Sequence, residues 1–248
     1  MIPKIIHFCW FGHNPYPDKV KKCIQSWKKL LPEYEIICWN EENFDVNICQ
    51  FTRDAYKKGK YAFVSDYARL YVLNKYGGIY LDVDVEVIKP FDDILNNKMI
   101  IALDETGDIT GAFLASEKNQ IFLQALLNLY NRMPFIKKDG SLNMTVNNIW
   151  MQKVLKQYGY IKANRRQHLA DDIEVFPDDY FHARSNVSGK LRVTSRTYCI
   201  HYHTLLWVSN KTRLIKFIRF YVLVPVLGYK KYQKMVKKIR ALFGQKKN

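Results

Sequence analysis

The stretch YAFVSDYARLYVLNKYGGIYLDVDVEV, residues 61–87, limits the possible folds more than any other part of the chain. Phe63, Tyr67, Leu70 and Leu73 recur at three- and four-residue spacing, which predicts a helix over 61–76. Gly77-Gly78 supplies its C-terminal cap and releases the chain into a run with apolar residues at every second position, the pattern of a strand. Side chains at i, i+2 and i+4 of a strand share a face, so Tyr80, Asp82, Asp84 and Glu86 are expected on one side. Ile79, Leu81, Val83 and Val85 are expected on the other.

An ordinary strand with one wet face accounts for the alternation. Two aspartates weigh against it without excluding it, since they fit strands poorly and repel each other at about 7 Å unless a cation lies between them. Hard oxygen ligands of this kind suit Mn2+ or Mg2+ bridging to a phosphate. Asp66 and Arg69, three residues apart, border the apolar stripe of the preceding helix. They read either as a structural ion pair or as part of a site. The glycine cap brings this helix against the aspartate strand, so Asp66, Arg69, Asp82 and Asp84 are expected to converge where strand ends open into a crevice.

The rest of the chain alternates in the same way. Strands are expected at 4–10, 34–40, 99–103, 111–115, 173–176 and 196–202. Helices are expected at 18–31, with Asp18 as cap and Pro32 as stop, and near 119–132 and 146–158. Alternating elements of this kind predict an α/β sandwich around a largely parallel sheet. At 248 residues, 48% of them apolar, the chain can bury a substantial core. No repeat or Pro/Ser-rich linker divides it, so one domain over 1–208 is expected. The five cysteines (Cys9, Cys23, Cys38, Cys49, Cys199) show no CxxC pairing and read as free thiols in a reducing compartment, not as a cysteine zinc site. The start IPKIIHFCWFG has no basic region or cleavage site, so secretion is not expected.

Charge is concentrated at the end. Lys and Arg exceed Asp and Glu by 39 − 23 = 16, and residues 211–248 hold twelve Lys or Arg and no acid. The other 210 residues carry only +4, which argues against nucleic-acid binding by the body of the chain. The tail 209–248 mixes apolar and basic residues at helical spacing. Its longest uncharged run, Phe220–Tyr229, is ten residues, against about 20 needed to span a bilayer. An interfacial amphipathic helix on an anionic membrane is expected, with a basic helix packed on the domain or a partner as the other reading.

Three blocks, IPKIIHFCWFG, FVSDYARLYVLNKYGGIYLDVDVEV and CIHYHTLLW (199–207), resemble the family-32 glycosyltransferases, the DXD sugar-transferase group found among bacterial capsule and exopolysaccharide enzymes. The resemblance covers about residues 1–208. It implies a GT-A (Rossmann-like) fold, a nucleotide-sugar donor, a divalent cation (Mn2+ or Mg2+) and transfer with retention. By that resemblance Asp82 and Asp84 are the DXD pair, with Asp84 the more direct metal ligand. Asp66 contacts ribose or donor-sugar hydroxyls, and Arg69 holds donor phosphate or sugar oxygens. His7, Phe8 and Trp10 lie where the family builds its nucleobase pocket, and Trp207 lies near the donor. His201 matches the third metal ligand, with His203 as the alternative, because the family's second His is Tyr202 here and the usual Ser before Trp207 is Leu206. Trp10 and Trp207 read equally as core aromatics, and His201 as a structural histidine.

The expected acceptor is a glycan on a membrane lipid carrier, and the expected location is cytoplasmic, peripheral on the inner face of the plasma membrane. Acceptor choice is expected around Thr110–Ser116 and Asn143–Gln152. Two other readings compete. IYLDVDVEV also resembles the haloacid-dehalogenase phosphohydrolases, with Asp82 as nucleophile and Asp84 as acid/base. Alternatively the chain is a basic membrane- or nucleic-acid-binding module.

Overall fold

The computed structural model describes residues 1–186, 188–204, 214–215, 217–228, 231–232, 234–236 and 238. A seven-stranded sheet runs through its centre in the order β2-β1-β3-β6-β5-β8-β7. These strands are β1 (Ile5–Cys9), β2 (Glu35–Trp39), β3 (Gly78–Leu81), β5 (Met99–Leu103), β6 (Ile109–Ser116), β7 (Gln167–Leu169) and β8 (Ile173–Phe176). A separate antiparallel pair joins β4 (Val85–Val87) to β9 (Cys199–His201).

The sheet is mixed rather than largely parallel. β1 runs parallel to β2 and β3, and β5 to β8, but β6 is antiparallel to both of its neighbours and β7 to β8. The physical reason is the connection between β5 and β6, the loop Asp104–Asp108, which is too short for the crossover a parallel pair requires. It closes as a turn, with the Gly107 N–H donating to Asp104 O and the Asp104 N–H to Asp108 O.

Both faces of the sheet are covered. On one lie α2 (Gln50–Lys57), α3 (Tyr61–Tyr76), α4 (Ile121–Arg132) and α5 (Asn147–Leu155), packed over Tyr80, Ile101, Leu114 and Val175. On the other lie α1 (Asp18–Leu30), α6 (Asp178–Phe181) and the small sheet, around Trp27, Ile79, Leu81, Phe113 and Phe181. Pro17, not Asp18, occupies the cap position of α1. Helix α3 keeps its expected bounds and ends as its glycines dictate. Gly77 has φ 68°, and its N–H donates to Leu73 O. A Cβ on Gly78 (φ +100°) would stand 2.7 Å from Ile5 O and 3.0 Å from His7 Nε2, so only glycine lets β3 lie this close to β1.

β1 is the switch point of the parallel half. The chain leaves β1 through α1 to β2 on one side, then returns from β2 through α2 and α3 to β3 on the other. Open α/β sheets bind ligands at the carboxyl ends of strands flanking such a point. Within β1, His7 is buried in the sheet; its Nε2 lies 2.8 Å from Gly77 O, and its Nδ1 accepts the Trp39 indole N–H at 3.1 Å. Burial holds its pKa down at about 4.

The tail is partly described. A π-helical turn, Arg219–Leu223, leads into a short helix, Val224–Leu227, that ends at Gly228. Phe220 and Val224 are buried, with Phe220 against Gly189, whereas Leu214, Ile215, Ile218, Val222 and Val226 are exposed. No helix among the described residues is long and apolar enough to cross a membrane.

Candidate active site

The DXD stretch does not continue as one strand. β3 stops at Leu81, and a turn follows, closed by the Val85 N–H on Asp82 O at 3.0 Å. The chain then re-enters a different sheet as β4. Asp82 and Asp84 therefore share a site through a turn and not through strand alternation. Glu86 parts from them; its carboxylate accepts the Tyr202 hydroxyl instead. Alternation of apolar residues persists through the turn because Val83 is half-buried while Leu81 and Val85 enter the core.

A cleft of about 740 Å³ opens here, reaching from Trp10 and Phe11 beyond β1 to His201 at the end of β9 and His203 beyond it. Its floor is a buried charge network. Arg69 lies 3.1 Å from Asp66 Oδ1 and 3.4 Å from Asp82 Oδ1, and stacks at 4.6 Å over the Tyr80 ring. It also donates to Ser65 O at 3.2 Å and to Gly111 O at 2.6 Å. A Cβ at Gly111 would come within 2.6 Å of Arg69 Nη1, so a side chain there would push the guanidinium out of this position. With its N–H groups engaged by protein oxygens, Arg69 is a positioning residue for the two carboxylates in this structure. Asp82 also accepts the Tyr80 hydroxyl at 3.2 Å. Asp66 accepts the Asn147 N–H at 3.3 Å; its burial, partly offset by Arg69, lifts its pKa to about 6.

On the opposite wall, Asp84 is 7% exposed. One of its oxygens accepts both the backbone N–H and the hydroxyl of Thr204, at 2.7 and 2.8 Å. The other lies 3.2 Å from His201 Nε2. Burial alone would raise its pKa, but the His201 charge and these hydrogen bonds outweigh it and hold the carboxyl well below the ordinary range. Asp82, Asp84 and His201 present ligand atoms within 4.8 Å of one another. The 3.2 Å between Asp84 and His201 is close to the spacing of adjacent ligands around a six-coordinate ion with bonds of about 2.1 Å, roughly 3 Å. Two carboxylates and one imidazole thus fit a divalent cation such as Mn2+.

The sequence-derived residues separate here. Trp10, Asp66, Arg69, Asp82, Asp84, His201 and His203 all line the cleft. His7 and Phe8 do not; both are buried, on opposite faces of β1. Cys9, Phe11 and Tyr61 line the cleft on that side. Trp207 lies outside the described residues. The sequence reading missed His182, whose Nε2 meets the Thr110 hydroxyl and whose Nδ1 lies 3.3 Å from His201 Nδ1. It also missed Thr204. Thr110, Gly111, Asn147 and Asn148 come from the two segments expected near the acceptor. A second cleft, of about 580 Å³, is lined by Arg166, Arg192 and Arg196. Each of these arginines is paired with an acid, Glu174, Asp178 and Asp179 respectively.

Residues 17–101 match a family model described as the glycosyltransferase sugar-binding region containing the DXD motif. That span holds Asp66, Arg69, Asp82 and Asp84 but not the histidines. Among solved structures, the PaToxG glycosyltransferase superposes over 64% of this chain and 70% of its own, with a TM-score of 0.50 and 21% identity. Inositol phosphoceramide mannosyltransferase 1 of Schizosaccharomyces pombe is 28% identical over 151 residues, 55% of this chain and 46% of that protein. An uncharacterized glycosyltransferase of Acanthamoeba polyphaga mimivirus is 24% identical over 220 residues, 82% of each. The chain spans less than half of the yeast enzyme's length. The class so defined is a GT-A glycosyltransferase fold carrying a DXD sugar-binding region.

Proposed function

We propose that the chain is a retaining, metal-dependent glycosyltransferase, moving a sugar from a nucleotide-sugar donor to a lipid-borne glycan acceptor in surface polysaccharide synthesis. The observation that carries this is the meeting of Asp66, Arg69 and Asp82 on one wall with Asp84 and His201 on the other, in one cleft at the sheet's switch point. Asp82, Asp84 and His201 would hold a divalent cation, which supplies positive charge to the departing diphosphate. Thr204 fixes the Asp84 carboxylate, and Arg69 fixes Asp82 and Asp66, so the ligands are oriented before the donor arrives. Asp66 faces donor hydroxyls, and Trp10 at the mouth offers an aromatic face to the base. Family-32 membership, retention and a capsular role rest on the sequence resemblance. A lipid-borne acceptor also draws support from the yeast relative's printed name.

The phosphohydrolase reading has less support. Asp82 is held between Arg69 and the Tyr80 hydroxyl, a poor setting for a nucleophile, and no lysine lines the cleft among the described residues. Asp84→Asn should keep the fold and abolish Mn2+-dependent turnover of the nucleotide sugar. A variant that turns over fully in the presence of chelator would sink the metal-dependent reading.

Residues 1–208 are proposed as the catalytic domain and 209–248 as an anchor to the cytoplasmic face of the plasma membrane. The exposed Leu214, Ile218, Val222 and Val226 recur every fourth residue, in a segment whose twelve cations have no acid among them. Such a face enters an anionic interface with about 1 kcal/mol per cation. A chain ending at residue 208 should then lose co-sedimentation with phosphatidylglycerol vesicles; equal sedimentation of both forms would refute the anchor.

A further inference from the structure

We propose that His182, His201 and His203 form a second metal position, suited to a borderline ion such as Zn2+, which competes with the carboxylate position for His201. One nitrogen from each ring lies within 4.8 Å of one from each of the others. The His182 and His201 Nδ1 atoms are 3.3 Å apart. Two imidazole ligands of a tetrahedral zinc, with bonds of about 2.0–2.1 Å, stand roughly 3.3–3.4 Å apart. Each ring also places Nε2 on an oxygen: His201 on Asp84 at 3.2 Å, His182 on the Thr110 hydroxyl, and His203 on Arg184 O at 3.2 Å. Outer hydrogen bonds of this kind fix the tautomer and orientation of zinc-bound histidines. His203 has φ 52°, in the left-handed region that a side-chain-bearing residue rarely adopts, and its ring lies 3.9 Å from that of His201.

The two positions exclude each other for a reason within His201. A neutral imidazole has one lone pair. If Nε2 ligates an ion beside Asp84, Nδ1 carries the proton and points at His182. If Nδ1 ligates zinc, Nε2 carries the proton and donates it to Asp84. Three histidines leave a fourth tetrahedral position open on the cleft. Zinc there should displace Mn2+ function without touching Asp82.

The test uses tag-free full-length protein and needs no sugar substrate, so its failure leaves the proposed transfer reaction standing. Zn2+ is titrated calorimetrically, and Co2+ is read by the visible absorption of a four-coordinate nitrogen site. Wild type should bind one Zn2+. His182→Asn and His203→Ala should each lose about 100-fold or more in affinity, beyond the range of outer-shell changes, while Asp82→Asn should stay within about threefold. His203 is only half-buried, so that variant carries the test if His182→Asn fails to fold. Unchanged Zn2+ affinity in His203→Ala, or an equal loss in Asp82→Asn, overturns the proposal.

Discussion

Replacing Arg69 by Met tests the charge network that orders the cleft. Arg69 is 7% exposed, and its guanidinium lies against Asp66 at 3.1 Å, Asp82 at 3.4 Å and Gly111 O at 2.6 Å. Methionine fills much of the volume but satisfies none of these groups. Removing one partner of a buried pair costs about 3–5 kcal/mol, because the abandoned charge stays desolvated. For a chain of this size each kcal/mol lowers Tm by about 2–4 °C, so the loss should be roughly 10 °C. Asp66 already titrates near 6 with Arg69 beside it. Without Arg69 it should remain protonated to higher pH, which caps the penalty below the full cost of two bare charges.

A second substitution shows whether the pair interacts. Asp66→Asn on the Arg69→Met background should recover part of the loss, with a coupling of about 0.5–3 kcal/mol. Calorimetry in chelator, at fixed pH near neutrality, measures all four species of the cycle. A Tm drop below about 3 °C, or losses that simply add, would refute the assignment of Arg69 as the cation holding both carboxylates.

Thr204→Val removes one hydroxyl donor from Asp84 and should weaken Mn2+ binding by about tenfold, measured by paramagnetic resonance titration; unchanged affinity would count against Thr204 as the support of Asp84. Stability against pH should carry two opposed contributions of about 3 kcal/mol each. Asp66, raised from 3.8 to about 6, stabilises at low pH and loses that contribution as pH rises through 6, whereas His7, lowered from 6.5 to about 4, stabilises above 6.5 and loses its contribution as pH falls toward 4. Urea midpoints across pH 4 to 7 should therefore rise with pH in Asp66→Asn and fall in His7→Phe, and equal slopes in the two variants would contradict both assignments.

Helix α3 was legible to the residue because its apolar stripe and its glycine cap are both local. Strands β5 and β8 stood out for a similar reason, as short apolar runs between polar segments. Helix α2 was not, because QFTRDAYK buries only Phe51, Thr52 and Ala55 and shows no long stripe. The break after Leu81 was hidden because a turn that keeps Leu81, Val83 and Val85 apolar looks the same as a strand. The antiparallel β5–β6 pair had a signal in the short loop DETGD, whose Gly107 has φ 76°. His182 had none. It follows α6 in DDYFHAR, and only the tertiary fold brings it to a partner 19 residues away.

The site divides mechanically along the same line. Asp66 and Arg69 stand on α3 and Asp82 just past the end of β3, all braced by the seven-stranded sheet. Asp84, His201 and Thr204 hang on the β4–β9 pair, where Val85 faces His201 and the Tyr202 N–H donates to Asp84 O at 3.0 Å. Two strands alone are marginal in water, so this half depends on its cover. That cover is α1: the Trp27 indole N–H donates to Val85 O at 2.8 Å, and the Ser26 hydroxyl accepts the Val87 N–H at 3.0 Å. Trp27 is wholly buried, with its edge packed on Phe8. A cation shared by Asp82 and Asp84 would tie the rigid half to the hung half. Part of its binding free energy would then go into fixing the β4–β9 pair, and His201 with it.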